Sequence, residues 1–306
     1  MKNKILNLAY HYVRGPYEEQ MPGLTCTTDE FRKQMEYIRD NGFTVISLPD
    51  LVRGISEGKS FPEKVITLSF DDGLKDGYRN AFSVLKEFGF PATFFIITET
   101  LCGKLPAVIA LQLLIKKLGA ERLEKKILPE FLKDTPYHCL LDPKRFDLED
   151  FYSNEAPEVR RIKTVMNVFM PHYFKREKIS EICDSHFGAD FEENACTELF
   201  MNEDEIREMA VFGMDFATHS VTHPNLNSLS REEIIREVKT TETIAEIGTE
   251  IFGYPYGGSF SQKVFDVIGD FYEGAFNYLP CEKMPIGPWN IFDIPRIDQK
   301  HFFLNV

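Results

Sequence analysis

The sequence predicts an α/β fold built on a parallel sheet and interrupted by a long helical segment. Three observations point there. Near-continuous apolar runs alternate with helical patterns over the first hundred residues, and again from about residue 200. His11, Asp71, Asp72, His219, His223 and Tyr256 each stand just after such a run, where the strand ends of parallel α/β folds build active sites. Between the two blocks, about 101–200, the pattern is helical and too long for a loop.

The elements follow in order. Residues 5–11 form the first strand. Thr27 and Glu30 have capping-box spacing and open a helix to about residue 40, with Phe31, Met35 and Ile38 on one face. Asn41-Gly42 stops it, 43–48 is a strand and 49–58 a short helix. Residues 65–70 are apolar and β-branched, a buried strand ending in Asp71-Asp72-Gly73. A helix over 76–88 stops at Gly89, and 92–98 is the next strand. Helical patterns then cover 111–126, 157–169 and 177–186. Asn202 caps a helix to about 211, and 214–218 is a strand ending at His219. Ser230 and Glu233 form another capping box, opening a helix to about 247. The strand 250–254 ends in Pro255-Tyr256-Gly257-Gly258, 260–268 is helical, and 272–277 and 291–297 are the last strands.

Composition removes several function classes. With 306 residues, 43% hydrophobic and 27% charged, the chain can bury a large core. A net charge of −13 argues against a general nucleic-acid binder and against charge-driven binding to anionic lipid. No run of about 18 apolar residues predicts a membrane-spanning helix. The N-terminal apolar run is broken by Asn7 and His11 and lacks a small-residue cleavage site, so it reads as a buried strand and a cytoplasmic location is expected. Cysteines at 26, 102, 139, 183, 196 and 281 show no CxxC, which predicts reduced thiols and no cysteine-based zinc site.

Two segments carry chemistry. Adjacent carboxylates at a buried strand end, Asp71-Asp72, repel and are costly to desolvate, and a bound cation removes that problem. The alternative is a plain turn, with an Asp capping the next helix and Gly73 easing the bend. His219 and His223 are four apart; on one helical turn they share a face and both reach one ion. The alternative is a pair of satisfied polar histidines. His-His-Asp leaves a fourth position open, as catalytic zinc-type sites do, so one divalent ion per chain, zinc by ligand type, is expected. The open position would hold a water acidified by the metal.

Together the segments are more specific than either. Ser69-Phe70-Asp71-Asp72-Gly73 resembles the first motif of the polysaccharide deacetylase (NodB-homology, carbohydrate esterase 4) family. His219-Ser220-Val221-Thr222-His223-Pro224 resembles its second motif, and Phe252-Gly253-Tyr254-Pro255-Tyr256-Gly257 its third. The resemblance covers residues 1–100 and 200–300. It implies a distorted (β/α) barrel of the NodB-homology type, with parts 1–100 and 201–306 separated by a large, mainly helical insertion at 101–200. It also implies metal-dependent removal of acetyl groups from sugars. Asp72, His219 and His223 would bind the metal, Asp71 would be the general base acting on the metal-bound water, and the main-chain N–H of Tyr256 would stabilise the oxyanion. Tyr254 and Tyr256 would line the substrate. Trp289 is a candidate to stack on a sugar ring, with plain core as the alternative.

The sequence departs from the family pattern at two places. Gly253 stands where many members have an Arg that holds the base. Arg296 is the candidate replacement, against the alternative of a surface or interface arginine. The C-terminal segment 300–306, with His301, matches the family's general-acid motif poorly. His11, in Tyr10-His11-Tyr12-Val13, resembles the Tyr-His near the start of deacetylases acting on poly-N-acetylglucosamine, where the motif order is rearranged. His11 is preferred over His301 as the acid, against the alternative of a mobile or core-satisfied histidine. His138, His172 and His186 lack ligand spacing and read as structural or surface residues. The insertion is expected to cover part of the barrel mouth or make a subunit contact, against the alternative of a decoration with no direct catalytic role, and a homo-oligomer is left open. The expected function is N-deacetylation of an acetamido sugar or glycan, in the cytoplasm a nucleotide- or lipid-linked one of surface-glycan biosynthesis. The alternatives are a linear or cyclic non-sugar amide at the same metal site, or an inactive carbohydrate-binding relative.

Overall fold

Seven parallel strands close on themselves, and an eighth short strand flanks them. The computed structural model describes residues 4–16, 18, 25–142, 155–239, 241–279 and 288–303. Its strands are β1 (Lys4–Tyr10), β2 (Tyr12–Arg14), β3 (Thr25–Thr27), β4 (Thr44–Val45), β5 (Lys64–Phe70), β6 (Thr93–Ile96), β7 (Asp215–Thr218), β8 (Ile251–Gly253), β9 (Gly274–Leu279) and β10 (Ile294–Asp298). The ring runs β1, β10, β9, β8, β7, β6, β5 and back to β1, every pairing parallel. One edge of β5 is taken along its whole length by β1. Its other edge is shared, with β4 on Val65 and Ile66 and β6 on Ser69 and Phe70. β2 and β3 pair with each other outside the ring.

The strands are buried on both faces, so their few polar side chains must find partners inside. Thr67 donates to the Asn7 side chain at 2.9 Å, Asn7 to the Pro295 carbonyl at 2.9 Å, and Ser69 to the Leu8 carbonyl at 2.9 Å. Outside the ring, helix Thr28–Asp40 buries Phe31, Met35 and Ile38. Its capping box is formed as expected: Thr27 Oγ1 accepts from Glu30 N–H at 3.2 Å, and the Glu30 carboxylate accepts from Thr27 N–H at 2.8 Å. The boxes at Asn202–Glu205 and Ser230–Glu233 are also present.

Several boundaries differ from expectation for local reasons. The strand expected over 43–48 shrinks to β4, because Ser47 caps a helix that begins at Leu48. The helix expected over 111–126 starts at Ala107 behind Pro106 and stops at Gly119, which sits at φ 80°. The helix expected to run to 247 breaks into Arg231–Glu237 and Glu242–Ile247, the second recapped by Thr241. The helix expected over 177–186 begins earlier, as His172–Phe187 behind Pro171, and Phe191–Leu199 is a further helix.

The inserted helices have their own core, around Leu111, Leu114, Leu123, Met166, Ile179 and Ile182. That core also takes in Tyr12, which opens β2 just beyond the end of β1, and Leu74, just beyond the end of β5, and Tyr256 packs against it. Met201 N–H donates to the Gly73 carbonyl at 3.0 Å, where the inserted chain returns to the barrel. The insertion therefore sits on the face of the barrel where the candidate residues emerge. Cys26, Cys102, Cys139, Cys183 and Cys196 stand as free thiols, and Cys281 lies outside the described residues. Among the described residues no helix is long and apolar enough to cross a membrane.

Candidate metal centre and active site

The site is made by abrupt turns at strand ends. Asp71 N–H donates to the Tyr10 carbonyl at 2.9 Å, and the chain then turns at Asp72 with φ 73°. His219 N–H donates to the Ile96 carbonyl at 2.7 Å. The loop after it has Ser220 at φ 62° and His223 at φ 57°. The two histidines are therefore not on a helical turn, as their spacing suggested; a loop with two left-handed residues brings them together. After β8, Tyr256 has φ 65° and Gly257 φ 76°. A Cβ on Gly257 would lie 2.1 Å from the Tyr278 carbonyl oxygen, so only glycine fits. Among the described residues, these four non-glycine residues are the ones with positive φ. Such conformations cost on the order of 1–3 kcal/mol each, and they concentrate here.

Asp72, His219 and His223 each offer one ligand atom, all within 4.8 Å of one another. Asp72 Oδ1 lies 3.7 Å from His219 Nε2 and 3.5 Å from His223 Nε2. His219 Nδ1 is 2.8 Å from the Gly253 carbonyl. A carbonyl only accepts, so Nδ1 carries the proton and Nε2 presents its lone pair toward Asp72. Gly253 makes room for this: a Cβ there would meet the Phe95 ring at 2.6 Å. Burial pushes the His219 pKa down, against the pull of Asp71 and Asp72. Burial, then His219 and Lys175, push that of His223 well down. Both shifts favour the neutral imidazole, the form that can bind a cation. Burial pushes Asp72 the other way, upward, with Asp71 adding to it and His11 and His219 opposing it. Two neutral imidazoles facing a buried carboxylate are the donor set that a zinc-type cation stabilises.

Asp71 has a different environment. Burial alone would raise its pKa, but Arg296, His219 and His11 outweigh that and bring it to about 2. Arg296 is fully buried and bidentate, Nη1 to Oδ1 at 2.6 Å and Nη2 to Oδ2 at 3.0 Å. Nη1 also donates to Ser69 Oγ at 2.9 Å, and the guanidinium lies over the Phe95 ring, 4.6 Å from its centre. This arginine is neither at the surface nor at an interface. His11 Nε2 is 4.0 Å from Asp71 Oδ2, and its ring meets the Tyr278 ring edge-on.

Not every candidate reaches this cluster. Tyr254 is 1% exposed, stacks on Phe260 and donates its hydroxyl to the Phe292 carbonyl at 2.8 Å. No face is left for a sugar, so its expected place in the substrate wall is corrected to core. Trp289 packs against a cluster that includes Leu48, Ile251 and Ile294, and Ile291, two residues on, accepts from Ala275 N–H at the start of β9. It lies at the opposite end of the barrel from Asp72, so its stacking role is also corrected. Tyr256 does stand at the mouth, its ring 4.7 Å from that of His223. His301 lies on helix Gln299–Phe303, whose Phe302 and Phe303 pack on Tyr37 outside the ring. Residues 304–306 of that C-terminal segment lie outside the described residues. Sequence reading missed Ser69 and Phe95, which support Arg296, and His172, which reaches the histidine loop. Only their place in the fold reveals them.

A closed parallel barrel with a His-His-Asp cluster and an arginine-held aspartate at its C-terminal mouth defines a NodB-type barrel. The polysaccharide deacetylase family model matches residues 58–114 and 183–271, which include Asp71, Asp72, His219, His223 and Tyr256. Over these two blocks the chain is similar to the polysaccharide deacetylases. It is 32% identical over 109 residues to the poly-beta-1,6-N-acetyl-D-glucosamine N-deacetylase of Staphylococcus epidermidis, covering 32% of this chain and 37% of that protein. The chain spans about a third of the length of the first curated relatives it matches. In structure it is similar to the Streptococcus pyogenes deacetylase PplD, with a TM-score of 0.56 and 17% identity over 97% of this chain and 92% of that one. It is also similar to IcaB from Ammonifex degensii, with a TM-score of 0.54 and 16% identity over 97% and 91%. At these identities the structural likeness shows the fold.

Proposed function

We propose that this chain is a metal-dependent N-deacetylase acting on an acetamido sugar, with polymers of N-acetylglucosamine the favoured class. The observation that carries this reading is the juxtaposition of two differently tuned carboxylates. Asp72 joins His219 and His223 within 4.8 Å, while Asp71 beside it is held ionised by Arg296. The matched relative named for poly-beta-1,6-N-acetyl-D-glucosamine supports the substrate class.

Asp72, His219 and His223 would hold one divalent ion, zinc by ligand type. Bound there, the ion would supply a Lewis acid that polarises the amide carbonyl and acidifies water. Asp71 accepts the proton of the attacking water; with a pKa of about 2 it is a weak base, and its value lies in position, fixed by the bidentate arginine. Water adds to the carbonyl carbon, the C–N bond breaks, and acetate and an amine leave. His11, 4.0 Å from Asp71, is placed to give the amine its proton. The main-chain N–H of Tyr256, fixed by the turn at φ 65°, would steady the charge on the carbonyl oxygen.

The test is elemental analysis of protein purified without chelator or histidine tag, beside a His219→Ala/His223→Ala variant. Close to one zinc-type ion per chain, lost in the variant, is expected, with acetate release from N-acetylglucosamine oligomers by the wild type alone. No metal in either protein after zinc is added would overturn the reading.

A further inference from the structure

The first two turns of helix His172–Phe187, in the inserted segment, face the loop between the two histidine ligands. His172 Nε2 lies 2.7 Å from Thr222 Oγ1. The Thr222 hydroxyl donates to Glu237 Oε1 at 2.7 Å, and Thr222 N–H donates to Glu237 Oε2 at 2.9 Å. A hydroxyl has one proton; with that proton on Glu237, the hydrogen between Thr222 and His172 belongs to His172. One turn on, Arg176 makes a bidentate pair with Glu99 at 2.6 and 2.7 Å. Glu99 N–H in turn donates to the Val221 carbonyl at 3.1 Å. His172, Thr222, Glu237 and Glu99 are all buried.

The loop needs such support. Ser220 and His223 adopt left-handed backbone, which side-chain-bearing residues disfavour. Within the loop, Ser220 Oγ accepts from His223 N–H at 2.9 Å, but the Thr222 side chain, next to a ligand, is tied outward. Residue 172 falls outside both blocks matched by the family model.

We propose that this helix braces the metal-binding loop and that His172 is its positioning residue, acting on His219 and His223 through Thr222 and Glu237. The metal part of this claim rests on the metal-centre reading above.

The test uses His172→Leu, which removes the donor, and His172→Gln, whose amide restores an N–H near the Nε2 position. Two quantities are read: amide hydrogen exchange across 219–223 in metal-free protein, and zinc affinity by competition with a chromophoric chelator. In H172L, exchange across the loop is expected to quicken roughly tenfold while β5 is unchanged. Zinc affinity is expected to fall about tenfold, and H172Q to recover most of both effects. Unchanged loop exchange in H172L overturns the brace. Faster exchange with unchanged zinc affinity overturns the positioning role and leaves a purely structural contact. A wild-type chain that binds no zinc overturns the metal-centre reading and the positioning role with it, while the exchange result still decides the brace. Should H172L fail to fold, Thr222→Val, which keeps the shape, is read in the same two ways.

Discussion

Two buried charges flank the histidine loop, and they are handled in opposite ways. Asp71, at a barrel strand end, is 3% exposed and meets Arg296 through two hydrogen bonds. Lys175, on the inserted helix, is 2% exposed, and its ammonium donates to the Asn167 side chain at 3.3 Å. Among the described residues it makes no ion pair. Burial and neighbouring Arg176 bring its pKa down to about 8. The barrel thus holds a charge and its counter-charge; the insertion holds a charge with a neutral amide. Partnering, more than burial itself, decides whether such a group is settled in the fold.

The largest effect expected from breaking this contrast comes from Arg296→Met. It turns Asp71 into a buried carboxylate without a counter-charge, as isolated as Lys175. A loss of about 3–5 kcal/mol in stability is expected, measured by denaturant unfolding, with turnover lost as well. Arg296→Lys should not restore activity, because an ammonium cannot reproduce the bidentate fork. Unfolding midpoints for both variants close to that of the wild type would break the contrast.

Asp71→Asn separates the pair's chemistry from its packing. The amide keeps the shape and loses the proton acceptor. Acetate release should fall by roughly 10²–10⁴-fold while bound metal stays near the wild-type level. A variant retaining a tenth or more of the rate would remove Asp71 as the base.

Lys175→Met addresses the other charge. A pKa lowered from 10.5 to about 8 corresponds to about 3 kcal/mol at most against the protonated form in the fold. That penalty is complete below pH 8 and fades as pH rises toward 10.5, because the folded state loses its proton first. The methionine variant should therefore be more stable than the wild type by roughly 1–3 kcal/mol at pH 7. The gap should narrow between pH 8 and pH 10, followed by calorimetry. A variant less stable than the wild type at pH 7 would show that Lys175 has a partner worth more than its burial.

The same contrast marks what the sequence could reveal. Asp71, Asp72, His219 and His223 were legible because each follows an apolar strand, and strand ends in parallel folds converge. Arg296 was legible through a gap in a motif, although 225 residues separate it from Asp71. Two capping boxes and the Asn202 cap located three helices because their signal is local. Tyr254 and Trp289 were misplaced because an aromatic residue reads alike whether it lines a core or a groove. The contact from His172 to Thr222 spans 50 residues and carries no spacing signal, so only the packed helix reveals it. The histidine loop was misread as helical because i and i+4 spacing does not distinguish a helical turn from a loop with left-handed residues.

The smallest effect comes from a polar contact built like the Asp71–Arg296 pair but left in water. Thr27 and Glu30 exchange three hydrogen bonds, at 3.2, 2.8 and 2.8 Å, and this capping box is exposed. Thr27→Ala removes the side-chain acceptor, and the freed Glu30 N–H can turn to solvent. The expected loss is about 1 kcal/mol, or about 2–4 °C in Tm, with metal content and turnover unchanged. Arg296→Met breaks three hydrogen bonds against two for Thr27→Ala, and it strands a carboxylate where water cannot reach it. If the two losses stood only in the ratio of bonds broken, hydrogen-bond count would explain both, and the contrast between partnered and unpartnered buried charge would fall. A several-fold larger loss at Arg296 would assign the difference to desolvation of Asp71.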